Sequence, residues 1–403
     1  MGCKDMKING VSEPKTTSVS LRNGIVCVAA AVAGSAVLLT GCASLKSVPV
    51  SERRQDASYS VLLLGDTHYD TLPVEVYHSE YKARVKPEMF RNRLKEFNRN
   101  GEFWAGDGLG PRMMENAAAN VVRDDTAFVL QVGDLIQGDA ELYDIHKKLL
   151  ADAFGYFKRV FAPLPFVTVI GNHDIRGSEA DKAYRDFIAE TMPAEIGKEI
   201  GGIDYYFTCG PDLYIFLNFE KPKLDVLKKA LDEHPKARYK FLVTHGGVVA
   251  RDNRSATWMF LGRRTSTATR AEIRDLLARH NVISLCGHTH LIELEDYFSP
   301  NGGRITQFGT CCIKDPHVDA SVLRVELEGA ASYGTRKSTL DTPDNKALLD
   351  EYKDGIKRYY FAFGAGSCLL RVSDSGVFVD FYAGDKKEIS NTFELRPGNG
   401  SLE

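Results

Sequence analysis

The chain has 403 residues, 43% hydrophobic and 26% charged, which suffices for a sizeable core in one large domain or two smaller ones. Its formal net charge of -3 excludes the basic footprint of a nucleic-acid binder and any overall polybasic attraction to anionic lipid. A charge that binds an anion must therefore be local.

At the N-terminus, Lys4, Lys7, Lys15 and Arg22 precede GIVCVAAAVAGSAVLLTGC, a charge-free apolar stretch short for a bilayer span. That is the pattern of a secretory signal. Its end, Leu39-Thr40-Gly41-Cys42, resembles the bacterial lipobox. The resemblance implies a signal peptide over 1–41, a lipid on Cys42, and an exported chain held to a membrane of the cell envelope. Residues 42–58 are polar and aperiodic and are expected to be a tether. Beyond Cys42 the cysteines are Cys209, Cys286, Cys311, Cys312 and Cys368, an odd number without C-x-x-C spacing. Neither a disulfide framework nor a thiolate zinc site is expected, and these residues read as small buried hydrophobes.

Five apolar runs of strand length follow, and each stops at Asp, Asn or His. SVLLL ends in Gly65-Asp66-Thr67-His68, TAFVLQV in Gly133-Asp134, and PFVTVI in Gly171-Asn172-His173-Asp174. YKFLV ends in Thr244-His245-Gly246-Gly247, and NVISL in Cys286-Gly287-His288-Thr289-His290. Helical apolar spacing separates them: from Pro87, from Ala140, from Pro222 and from Thr269. Strands alternating with helices predict a layered α/β or α+β domain. Buried strands of such sheets place their sites just beyond their carboxyl ends, so the five polar clusters should converge on one edge. Asp107 has no apolar run before it and is set aside.

The convergent set is Asp66, His68, Asp134, Asn172, His245, His288 and His290, all oxygen and nitrogen donors. Seven donors exceed what one tetrahedral ion uses and suit two ions sharing a carboxylate. Such donors accept Mn, Fe, Zn or Co alike.

In this order, GDTH, GD, GNHD, TH and GHTH resemble the signature of the calcineurin-like metallophosphoesterases, over roughly residues 59 to 315. The resemblance implies a four-layer α/β sandwich of two mixed sheets flanked by helices. Carried over by position, it makes Asp66, His68 and His290 ligands of one metal, Asn172, His245 and His288 ligands of the other, and Asp134 the bridge. It makes His173 the catalytic histidine beside the leaving group. The expected activity is hydrolysis of a small phosphate ester, a phosphodiester rather than a monoester or pyrophosphate, by a metal-bridging hydroxide. Gln137 stands where many relatives place an Asp that orients the histidine, and Asp139 is a candidate substitute.

The interval from Asp66 to Asp134 is longer than one helical crossover needs, and a long loop over an active edge often carries specificity. Tyr69, His78, Phe103 and Trp104 are expected to pack in the ordinary way, with an apolar substrate wall as the alternative. Arg176, close after GNHD, is a candidate phosphate contact, as are Arg251, Arg254, Arg263 and Arg264 near Trp258, although each arginine reads first as a solvated surface cation. The phosphoesterase domain is placed at 59–330. Residues 331–403 begin polar and then read as strands that complete the same domain, with a turn at Asp374-Ser375-Gly376. The rival readings are a non-catalytic envelope-binding lipoprotein of the same fold, and a metal store.

Overall fold

The computed structural model describes residues 47–53, 57–71, 84–252, 255–257, 259–262, 264–313, 322–336 and 342–398. The signal segment 1–41, Cys42 and His78 lie outside them. The chain from Leu45 to Glu403 is one compact unit.

Two mixed sheets carry the fold. One has the order β14-β13-β12-β1-β2-β3, and the other β10-β11-β8-β9-β7-β6-β5-β4. In the first, β1 (Tyr59–Leu64), β2 (Thr126–Gln131) and β3 (Phe166–Thr168) are parallel, and β12 (Gly366–Ser373), β13 (Gly376–Ala383) and β14 (Asn391–Pro397) extend it antiparallel. In the second, β5 (Asp212–Phe216), β6 (Lys240–Val243), β7 (Ile283–Cys286) and β9 (Arg304–Gly309) are parallel. β4 (Tyr205–Cys209), β8 (Ile292–Phe298), β10 (Arg324–Glu328) and β11 (Ile356–Phe363) join it antiparallel. The strands that bear the motifs are continuous apolar runs because both their faces are covered: β1, β2, β6 and β7 are buried along their whole lengths.

The main core lies between the sheets and continues under the helices Tyr143–Val160 and Ala180–Ile196 on the outer face of the first. A second core packs Leu224–Glu233, Thr267–Arg279 and Pro343–Lys353 against the outer face of the other. Ser266 caps the helix Thr267–Arg279 by accepting from Thr269 N–H, and Thr342 caps Pro343–Lys353 by accepting from Asn345 N–H. The last helix falls in the stretch read as polar. Its cap, and Pro343 in the first turn, were the signal for it.

One expectation changes here. Residues 47–53, expected as part of a tether, lie against the domain: Val50 is fully buried, and Arg53 Nη1 donates to the Thr126 and Ala127 carbonyls at 2.7 and 2.8 Å. Of the two readings of Tyr69 and Trp104, ordinary packing holds and the substrate wall does not: both are core residues, packed in an aromatic group with Tyr156 and Phe157. Trp104 Nε1 donates to the Thr67 carbonyl at 3.2 Å, which braces the GDTH turn from below. Large apolar area gains more from burial than from lining a wet cleft.

Candidate metal centre

The carboxyl ends of β1, β2, β6 and β7 meet at one edge, and contacts across the two sheets lock them together. His288 N–H donates to both Asp66 carboxylate oxygens at 3.1 and 3.0 Å. His245 Nδ1 donates to the Val132 carbonyl at 2.9 Å, so its Nε2 points at the carboxylates: 3.1 Å from Asp134 Oδ2 and 3.5 Å from Asp66 Oδ1. His288 Nδ1 stands 3.1 Å from that same Nε2. On the other side, His68 Nε2 lies 3.2 Å from His290 Nε2 and 3.8 Å from Asp134 Oδ2, while His290 Nε2 is 3.7 Å from Asp66. Asn172 opens the GNHD turn, and the next residue, His173, donates its N–H to Asp134 Oδ1 at 2.7 Å.

The turns that achieve this are strained. His68, Asp134, His288 and His290 all have positive φ, between 44 and 70°, at roughly 1–3 kcal/mol each for residues with a Cβ. The cost is accepted where donors must point inward. Gly171 shows how tight the packing is: a Cβ there would sit 2.1 Å from the Asp134 backbone nitrogen.

The donors fit divalent ions. Burial, with help from neighbouring imidazoles, holds His68 and His288 well below the ordinary histidine range, so both present neutral nitrogens. Burial pushes Asp134 up, but His245, His173 and His68 together hold it well below the usual carboxylate range. Burial also works against a charge on His245, yet Asp134 and Asp66 outweigh it and lift the imidazole to about 9. The pull that puts a proton there is the pull two buried carboxylates exert on any cation between them. Asn172 Oδ1 is buried with no hydrogen-bond partner, which leaves a side-chain acceptor for a ligand.

His173 belongs to the same cluster, within 4.8 Å of donors on His68 and Asp134. Its Nδ1 donates to the Gln137 backbone carbonyl at 2.7 Å, and Arg176 Nη2 donates to its Nε2 at 2.5 Å. Asp139 holds Arg176, at 3.1 Å. Burial, reinforced by the Arg176 charge, lowers the His173 pKa against the opposite pull of Asp134. Asp174 is structural: it accepts from the Gly171 and Ile136 amides at 2.8 and 3.2 Å.

Two sequence expectations are corrected. Arg251 is no phosphate contact, being 1% exposed in an ion pair with Glu293. Arg254, Arg263 and Trp258 lie outside the described residues, and Arg264 is exposed. The five cysteines among the described residues are all buried and free of disulfides, but Cys312 is more than filler: its donor atom lies within 4.8 Å of those of His68 and His290. The strand before it, Arg304–Gly309, has only Ile305 and Phe308 as large apolar residues, so it gave no signal of the kind the five recognised runs give.

The sequence profile of the calcineurin-like phosphoesterases matches residues 59–291, more than half of the chain. The chain belongs to the calcineurin-like phosphoesterase family. Among solved structures it resembles the purple acid phosphatase PPD1 of yellow lupin (Lupinus luteus), at 11% identity and a TM-score of 0.50 over 88% of this chain and 55% of that one. It also resembles PhoD, at 10% identity and a TM-score of 0.52 over 87% of this chain and 71% of that one. The chain thus spans about half the length of the lupin enzyme, and at these identities the likeness is one of fold. A search of curated protein sequences gives no match.

Proposed function

We propose that the chain hydrolyses a phosphodiester at a two-metal centre, with Asp66, His68 and His290 holding one ion, Asn172, His245 and His288 the other, and Asp134 both. The observation that carries this reading is the closure of Asp66, Asp134, His245 and His288 across two sheets into contacts of 3.0 to 3.5 Å. Ions of the Mn, Fe, Zn or Co type supply charge neutralisation at the phosphoryl oxygens and a nucleophile at neutral pH.

The chain's own residues do the rest. Val132 fixes the His245 tautomer, so Nε2 stays a donor to the centre. The Gln137 carbonyl fixes a proton on His173 Nδ1 and so aims Nε2 outward; to assist the leaving oxygen, Nε2 would have to release Arg176 and carry a second proton, which the oxygen then takes. Arg176, tied by Asp139, places one guanidinium beside that nitrogen, where it can bind a non-reacting phosphate oxygen. One such cation suits the single charge of a diester better than the double charge of a monoester. Export and anchoring through a lipid on Cys42 complete the proposal. They rest on the apolar N-terminal stretch and its Leu-Thr-Gly-Cys end, and N-terminal mass analysis of the mature chain tests them.

The activity test uses residues 45–403 loaded with Mn²⁺, assayed on a chromogenic phosphodiester and monoester, with Asp134→Asn as control. Diester turnover that the control abolishes is the expected result. Faster monoester turnover would make the enzyme a phosphomonoesterase of the same fold, and bound metal without turnover would favour a binding role.

A further inference from the structure

β9 runs parallel to β7, so its carboxyl end arrives at the same edge as the GHTH turn. The chain there reads Gly309-Thr310-Cys311-Cys312. It is pressed against β1: a Cβ on Gly65 would stand 1.7 Å from the Cys311 carbonyl oxygen. Ile313 N–H and Cys312 Sγ both donate to the Asp66 carbonyl, at 3.2 and 2.9 Å. The Cys312 sulfur is thereby held among the donors of His68 and His290, all within 4.8 Å of one another. His68, 7% exposed, keeps its Nδ1 without a hydrogen-bond partner in this cluster.

We propose that Cys312 is a sulfur donor of the metal position formed by Asp66, His68 and His290, and that it makes this position prefer zinc or another thiophilic ion to manganese. The proposal rests on the two-metal reading above. The thiolate, not the thiol, is the ligand, so binding releases a proton. The S–H bond breaks, the proton passes to solvent, and the sulfur electron pair goes to the ion. The Asp66 carbonyl keeps the Ile313 N–H as its partner. The position built from Asn172, His245 and His288 offers only oxygen and nitrogen, so the two positions differ in softness and take unlike metals from a mixture. The neighbouring sulfurs are engaged elsewhere: Cys286 donates to the Phe308 carbonyl and Cys311 to that of Gly366, both at 3.7 Å.

The test strips the full chain of metal and titrates it with Co²⁺, recording absorption beside Cys312→Ser and Cys311→Ser. The unmodified protein and Cys311→Ser should bind two Co²⁺ and show a near-ultraviolet thiolate-to-cobalt charge-transfer band that Cys312→Ser lacks. Zn²⁺ affinity at one site should fall about tenfold or more in Cys312→Ser, with Mn²⁺ affinity changed far less. X-ray absorption at the zinc edge of the unmodified protein reads the same bond without a variant, as a sulfur neighbour of zinc. Two bound ions with neither band nor sulfur neighbour would overturn the proposal and leave the two-metal reading intact. Failure of the unmodified protein to bind Co²⁺ or Zn²⁺ would overturn both.

Discussion

Replacing Arg251 with Met should cost about 3–5 kcal/mol of folding stability, because it removes one partner of a fully buried ion pair. Arg251 and Glu293 are each 1% exposed, so neither charge has water to replace the other. Arg251 Nη1 also reaches Cys286 Sγ at 3.9 Å, at the end of β7, and Glu293 accepts from Thr289 Oγ1 at 3.1 Å, inside the GHTH turn. Met fills similar space and leaves Glu293 charged and unpaired. Glu295 loses the same cation, which holds it down against burial. The double variant Arg251→Met, Glu293→Gln removes both charges and should recover most of the loss. Urea unfolding of the four proteins of this cycle at neutral pH gives the coupling directly. A single variant within about 1 kcal/mol of the parent, or a double variant no more stable than Arg251→Met, would refute the claim that desolvated charge sets the cost.

Three further outcomes follow from the same geometry. Burial raises Glu295 to about 8, so its contribution to stability is full below about 4.5 and is lost as pH rises through about 8. Thermal melts followed by circular dichroism should therefore show Tm falling over that window in the parent and falling less in Glu295→Gln, and superimposable profiles would count against it. Trp104→Ala should destabilise by about 3–5 kcal/mol while leaving KM for small esters unchanged, as expected of a buried ring and not of a substrate wall. A raised KM at unchanged stability would reverse that assignment. Gly171→Ala should weaken metal binding, measured by calorimetry, because its methyl must displace the Asp134 backbone. Full affinity in that variant would show that the turn yields without cost.

Much of the fold and most of the centre were legible because buried parallel strands have to be apolar throughout, which leaves polar residues only where they end. Asp66, Asp134, His245, His288 and His290 announce themselves in that way. The helix Pro343–Lys353 was hidden by a polar lead-in, and Ala180–Ile196 was not anticipated. Arg251 looked like a surface cation because nothing in its own neighbourhood in the sequence shows Glu293, which arrives on another strand.

The sequence by itself determined the donor set, its order and the apolar strands that present it, since each of these depends on residues a few positions apart. Only the tertiary structure brings donors from different strands within reach of one another: His68 meets His290, and Asp66 meets His288, through contacts between the two sheets. The same holds for Cys312. Its sulfur reaches the centre because β9 lies parallel to β7 although β8 comes between them in the chain, and strand order is set by how the layers bury their apolar faces, not by local pattern.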